Sequence, residues 1–466
     1  MTGAHSASTA ARHFADWSAR LRLEDVAPPV RRAVGRHLLD GLGTTLAAAR
    51  LGAARPAVTV ARGLGGPAQA SILGTGDRIG AAAAALANGA QIHALDFDDT
   101  HAGGLVHATA VVLPAVFAVG EEVEASGADT MLAAAVGLET VCRLGAVTPH
   151  AFHARGLHAT AVCGVFAAAL AAARLYRLDP ERTVHALGIA GSQAGGLLEF
   201  LNTGASTKQL HPGFASQAGI MAARLAQAGA TGPASVLEGE YGLYAALVGT
   251  RVDPSALTDG LGQRWEATRI TIKPYPVCQL SHAALDAVRR LQLDGADPAT
   301  DIAEITADVH PDAAQVVCAP GKEEPRTAYD AKFSMPWCVA RLLLHGELTE
   351  DAFARIDDPQ VLELAARFRH RVVDFPGVAA DQPGVVRVRL RDGRSLHAHV
   401  SHSSGGPDDP GIEELVRTKA IGNIGAGPAS ERLADRVLDL AAQTDLKTVL
   451  ADIAAIVHEP DWGNPQ

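Results

Sequence analysis

The chain has 466 residues, enough for two domains and a large buried core. Apolar residues make up 48 % of it but aromatic ones only 4 %, so the core must come from Ala, Leu and Val, and a mainly helical protein is expected. A formal charge of −11, from 40 basic and 51 acidic residues with no Lys/Arg run, argues against a nucleic-acid or anionic-membrane binder, although an acidic small molecule needs only a few local cations.

In chain order, the first 21 residues carry no apolar core of signal-peptide type. Segment 31–49 then sets Val34, Leu38, Leu39, Leu42 and Leu46 at helical spacing. Segments 81–95, 129–145, 159–177 and 213–228 read likewise as Ala-rich helices, and the Ala run at 81–90 is too short to span a bilayer. The texture changes near Arg269, where "RITIKPYPVC" is β-branched and then broken by two prolines. "DIAEITADVH" alternates as a strand. "GVVRVRLRDGRSLHAHV" reads as a hairpin: Val386, Val388 and Leu390 face one side, Asp392–Gly393 turns, and Leu396, Ala398 and Val400 resume the alternation. Residues 401–411 form a linker, and 412–457 returns to helical periodicity. The expected organisation is a helical domain (1–269), an inserted α+β domain (270–405) and C-terminal helices (406–466) that rejoin the first. No internal repeat is evident. The five scattered cysteines include no CxxC, which suggests neither a disulfide framework nor a metal cassette and fits a cytoplasmic protein.

"DFDDTH" (96–101) packs three carboxylates, a hydroxyl and an imidazole into six positions. Its DxDxT pattern matches phosphoryl-transferring aspartate enzymes, but those place it after a buried strand, and here the preceding residues have helix composition. Its DxDD pattern matches some terpene cyclases, whose aromatic cavities a 4 % aromatic content hardly supplies. Metal ligation lacks a defined spacing, and any single Asp or Thr here has helix capping as a plain alternative. Histidine placement favours a site: six of 19 (93, 101, 107, 150, 153 and 158) fall within 93–158. Lys208 and His211 stand just before a predicted helix, Lys273, Cys278 and His282 at the domain junction, and Lys332 beside apolar residues. Lysines and histidines around one acidic cluster suit a polycarboxylate.

"NGAQIHALDFDDTH", "LHATAVCG", "STKQLHPGFASQAG", "KPYPVCQLSH" and "DAKFSMPW", in this order, resemble the MmgE/PrpD family, and the similarity runs from about residue 10 to 455. That family includes 2-methylcitrate dehydratase, cis-aconitate decarboxylase and iminodisuccinate epimerase. The resemblance implies a large helical domain with a smaller α+β lid, a homodimer, and neither metal nor organic cofactor. It assigns Asp96 and Thr100 to an active-site acid and hydroxyl, and His107 and His158 to active-site histidines. Lys208 and Lys273 become the lysines presented to substrate carboxylates, with Cys278 and His282 alongside. Cys278 stands where the decarboxylase branch has histidine, which argues against cis-aconitate decarboxylation. The implied chemistry is metal-free acid–base elimination, dehydration of an acid such as 2-methylcitrate first. Epimerisation of a dicarboxylate or decarboxylation comes second, and a non-catalytic binding protein of the same fold is the non-enzyme alternative. Their Gly/Pro-rich surroundings suggest that both lysines can be replaced with little loss of stability.

Overall fold

The computed structural model describes residues 9–459 and Trp462. Helices dominate, as the composition requires. The helices Pro28–Leu51, Ala81–Ala94, Ala108–Glu122, Gly127–Ala146 and Ala159–Leu175 are apolar around most of their circumference and pack into one large core. Small residues set their spacing. At the crossing of Ala81–Ala94 with Thr207–Gln227, a Cβ on Gly89 would stand 2.6 Å from Gly213, and one on Gly213 would stand 2.3 Å from the Leu86 carbonyl. Only glycine lets the two backbones approach this closely.

The Thr207–Gln227 helix begins earlier than the sequence suggests. "HPG" reads as a break, yet Pro212 sits inside this helix and Gly213 is a packing residue. Lys208 and His211 therefore lie in the opening turns of the helix rather than before it.

A second apolar core gathers residues between Tyr275 and Ala398, whereas Ile270, Ile272 and the C-terminal residues Ile412–Ile456 belong to the first core. The second core is built on a four-stranded sheet ordered Phe368–Val372, Ile302–Val309, Gly384–Leu390, Ser395–Val400. Ile302–Val309 runs parallel to Phe368–Val372 and antiparallel to Gly384–Leu390. The expected hairpin pairs Val388 with Leu396 and Val386 with Ala398. The helix His282–Arg290 lies on these strands, and a Cβ on Gly384 would stand 1.9 Å from the Ala283 carbonyl. Two chain crossings join the cores and touch each other, the Ile272 amide donating to the Gly405 carbonyl at 2.9 Å. Among the described residues, no helix is long and apolar enough to cross a membrane.

Candidate active site

The Ala81–Ala94 helix stops at Leu95, and Asp96 takes a left-handed conformation with φ +52°. Such a backbone is costly for a residue other than glycine and persists only where its surroundings enforce it. Here three buried lysines do so by capping three successive carbonyls. Lys332 donates to Leu95 O at 2.9 Å, Lys273 to Asp96 O at 2.8 Å and Lys419 to Phe97 O at 2.7 Å. They come from the second core, the crossing segment and the C-terminal helix Ile412–Ile424 respectively. Two residues of strand add the register: Thr100 pairs with Thr271 and His101 with Ile270, which brings Lys273 alongside Asp96.

The Asp96 side chain is fully buried between two cations, bonded through Oδ1 to the Lys208 ammonium and standing 3.3 Å from Lys273 Nζ through Oδ2. Burial alone raises a carboxyl pKa, but the two lysine charges prevail and hold Asp96 well below the usual carboxylate range. Two lysines and one aspartate leave this corner with net positive charge.

The other two carboxylates of the motif have different work. Asp98 Oδ2 meets His93 Nδ1 at 2.7 Å and His107 Nδ1 at 3.5 Å, and burial pushes its pKa up. Asp99 accepts from the amide and hydroxyl of Thr109 and lies 3.0 Å from His37 Nδ1. It thus caps, from ten positions upstream, the second residue of the Ala108–Glu122 helix. The capping reading is right for Asp99. Asp96 follows a helix, not the buried strand that the phosphoryl-transfer reading needs.

His107 and His158 are the residues immediately preceding the helices Ala108–Glu122 and Ala159–Leu175, and Lys208 is in the first turn of Thr207–Gln227. Three helix N-termini, each the positive end of a dipole, therefore lie beside the place where an anion would sit. The first two share a signal that contradicts the expectation of no internal repeat: His-Ala-Thr-Ala-Val occurs at both 107–111 and 158–162. The Thr160 hydroxyl of the second copy accepts the amide of His107 at 3.0 Å, which locks the two copies together.

His107 Nδ1 stands 2.9 Å from the Asp99 carbonyl and 3.3 Å from Thr100 Oγ1. A carbonyl oxygen only accepts, so Nδ1 carries the proton and Nε2 presents a lone pair. His158 Nδ1 faces His211 Nδ1 at 3.0 Å. His93, counted in the sequence cluster but given no role there, meets His107 edge-on at 4.7 Å and stacks on His158 at 5.7 Å between ring centroids. Burial depresses the pKa of His93, His107 and His158 far below the ordinary value, so all three are neutral at pH 7. One nitrogen of each lies within 4.8 Å of the others, a spacing that a metal ion accepts and that local sequence could not show because three elements supply it. Lys208 and Lys273 stand beside this trio with Asp96 as their shared counter-charge.

A cavity of about 660 Å³ opens over the group, and Asp96, Thr100, His107, His158, Lys208 and Lys273 all border it. Cys278 borders it too, half-buried, with its thiol pKa pushed up by burial and then by Asp96. His282 does not. It is fully buried beneath Tyr275, 5.4 Å between ring centroids, with Nε2 3.1 Å from the Val277 carbonyl, so it supports the loop that carries Cys278. Its place as a substrate-binding residue is not what the structure displays.

Residues 12–254 match the MmgE/PrpD N-terminal domain and residues 275–444 the MmgE/PrpD C-terminal domain. The chain belongs to the MmgE/PrpD family. Its curated relatives include cis-aconitate decarboxylase of Aspergillus terreus, 29 % identical over 95 % of this chain and 96 % of that protein. The cis-aconitate decarboxylase-like protein oryM of Aspergillus oryzae is 28 % identical over 94 % and 96 %. Human cis-aconitate decarboxylase is 30 % identical over 61 % of this chain and 60 % of its own length. Within this MmgE/PrpD chain the family models meet between residues 254 and 275, where the first core gives way to the second.

Proposed function

We propose that this chain is a lyase for a small di- or tricarboxylate, working by acid–base chemistry without metal or organic cofactor. The observation that carries it is the convergence of Lys208, Lys273 and three helix N-termini on one wall of a cavity, beside histidines whose lone pairs are available. The positive wall holds the carboxylates and takes up the charge that develops on the adjacent carbon. Similarity to cis-aconitate decarboxylases over nearly the whole chain supports a carboxylate as substrate.

Dehydration comes first. Elimination of water begins with proton abstraction, and His107, neutral with its Nδ1 proton tied to a carbonyl, is a base at rest. Asp98 orients His93 and His107, Thr100 steadies the His107 ring, and the imidazolium that abstraction creates on His107 gives its proton to the leaving hydroxyl, directly or by way of His158, whose ring centroid is 6.0 Å away. Decarboxylation has no earlier proton abstraction to charge an imidazole, so the proton that must reach carbon after CO2 leaves lacks a ready donor. It is retained as the second reading because the curated relatives carry that name. Segment 270–405 serves as a lid that carries Cys278 and reaches the cavity beside Lys273, excluding water when it closes. The enzyme acts in the cytoplasm as a homodimer.

The test is an NMR screen of citrate, 2-methylcitrate, cis-aconitate and iminodisuccinate, run in excess chelator. Turnover of a hydroxy-acid to an alkene supports dehydration, and CO2 release from cis-aconitate moves decarboxylation to first place. Turnover that chelator abolishes and a divalent ion restores would replace the metal-free mechanism. Epimerisation alone would make the chain an isomerase.

A further inference from the structure

The cavity is larger and more apolar than a citrate-sized acid needs. Asp96, Lys208, Lys273 and the active-site histidines crowd together on one part of the lining, and Glu199 and the His150–Asp312 pair reach it elsewhere. The rest of the lining includes Leu105, Leu197, Leu198, Leu201, Leu280 and Val316. Leu105, Leu197, Leu198 and Leu201 belong to none of the apolar clusters that stabilise the fold, and Leu197 is 66 % exposed. Core packing therefore gives no reason for four leucines here, and contiguous exposed apolar surface marks a binding site. Leu105 is held at φ +48°, a conformation that bulky side chains avoid, in the turn between Thr100 and His107. The chain keeps a leucine at a strained position that borders the cavity. The second core contributes Leu280 and Val316 to the lining, both only partly packed.

Resting on the carboxylate-lyase reading above, we infer that the substrate is a di- or tricarboxylate bearing an alkyl substituent of about four or more carbons. Its carboxylates dock on Lys208 and Lys273, and its chain lies along Leu105, Leu197 and Leu201 toward Leu280 and Val316. A volume of about 660 Å³ is that of a site for a drug-sized ligand. An unsubstituted acid fills the charged wall and leaves the leucines in water. Each methylene of a longer chain displaces that water from apolar surface.

The probes are succinate, butylsuccinate and octylsuccinate, which lack a leaving group and therefore report binding without turnover. By isothermal titration calorimetry, affinity is expected to rise about fourfold per added methylene between the butyl and octyl compounds. In the Leu197→Ser/Leu201→Ser variant that dependence is expected to fall below about twofold per methylene. Both residues lie outside the cores, and circular dichroism checks the fold. Should that variant unfold, Leu105→Gly, which relieves the positive φ while removing the side chain, takes its place with the same expected flattening. Equal affinity for succinate and octylsuccinate overturns the inference, as does a chain-length dependence that survives the leucine variants, because the chains then bind elsewhere. Absence of turnover on every acid, with the affinity trend intact, overturns the lyase reading and leaves the alkyl-carboxylate site standing.

Discussion

Lys273 has no accessible surface, and its ammonium serves both the carboxylate and the carbonyl of Asp96. Its Gly/Pro-rich context suggested a lysine with little structural work, and the geometry corrects that: sequence showed the charge but not the burial. In Lys273→Met a buried carboxylate loses one of its two cations, and breaking a buried pair from one side costs about 3–5 kcal/mol. Urea unfolding is therefore expected to show a clear loss of stability along with lost turnover, and adding Asp96→Asn is expected to recover much of the stability but none of the turnover. An unchanged midpoint in Lys273→Met would mean that the pair contributes nothing to folding. Cys278 is a different case. Burial raises its thiol pKa, which disfavours the thiolate and supports Cys278 as a packing residue. Cys278→Ser is expected to keep most native activity and the wild-type enzyme to make negligible itaconate from cis-aconitate. Loss of nearly all turnover in a folded serine variant, or robust itaconate formation, would make position 278 a participant.

Elements whose burial alternates, or whose length and composition fix a helix, were legible. The hairpin through Asp392–Gly393 lies where alternation places it because one face is buried, and the Ala-rich helices, buried on most sides, lie where their length and composition place them. The Phe368–Val372 strand was not legible, since only Phe368 is buried and the charged remainder carries no period; it joins the sheet as an edge, parallel to Ile302–Val309. The site was legible in its residue types and only partly in its assembly. The repeated His-Ala-Thr-Ala-Val marks two of the converging helix starts, but no local pattern reveals that Lys273, Lys332 and Lys419 cap consecutive carbonyls of one loop. That loop holds its place only if the helix on one side of it keeps its distance from the helix carrying Lys208. Gly213→Ala tests this, because its Cβ would stand 2.3 Å from the Leu86 carbonyl and the helices must part. Overpacking of this kind costs ~1–3 kcal/mol, and the shift also moves Lys208 relative to Asp96. A lower unfolding midpoint with a raised KM is expected; wild-type values for both would show that the crossing tolerates a methyl group.

Across the whole molecule, burying so many imidazoles ties stability to pH. Burial holds His93, His107 and His158 far below the ordinary value, His153 and His211 at about 4, and His282 at about 3. Each takes up a proton on unfolding at any pH between its folded value and the unfolded one of about 6.5. Their contribution is complete above that pH and is lost as the pH falls, at about 1.4 kcal/mol per pH unit for each fully titrating histidine. Asp96, depressed in the fold, contributes constantly over this window because both its values lie below it. Unfolding midpoints are expected to drop steeply from pH 7 to pH 5, and a flat profile would mean that these histidines are protonated in the fold. Assembly belongs to the same scale. Phe214, Met221 and Leu225, 49 %, 40 % and 43 % exposed, fall at i, i+7 and i+11 on the Thr207–Gln227 helix and so share one face. The opposite side of that helix is buried against Ala81–Ala94 and Ala159–Leu175 and begins with Lys208. A homodimer that covers the stripe would steady the helix from outside while its first turn holds Asp96. Light scattering at micromolar concentration is expected to report a dimer, and Met221→Asp/Leu225→Asp a monomer with weaker carboxylate binding. A dimer that survives both aspartates would place the interface on another face, and a wild-type monomer would remove the dimer altogether.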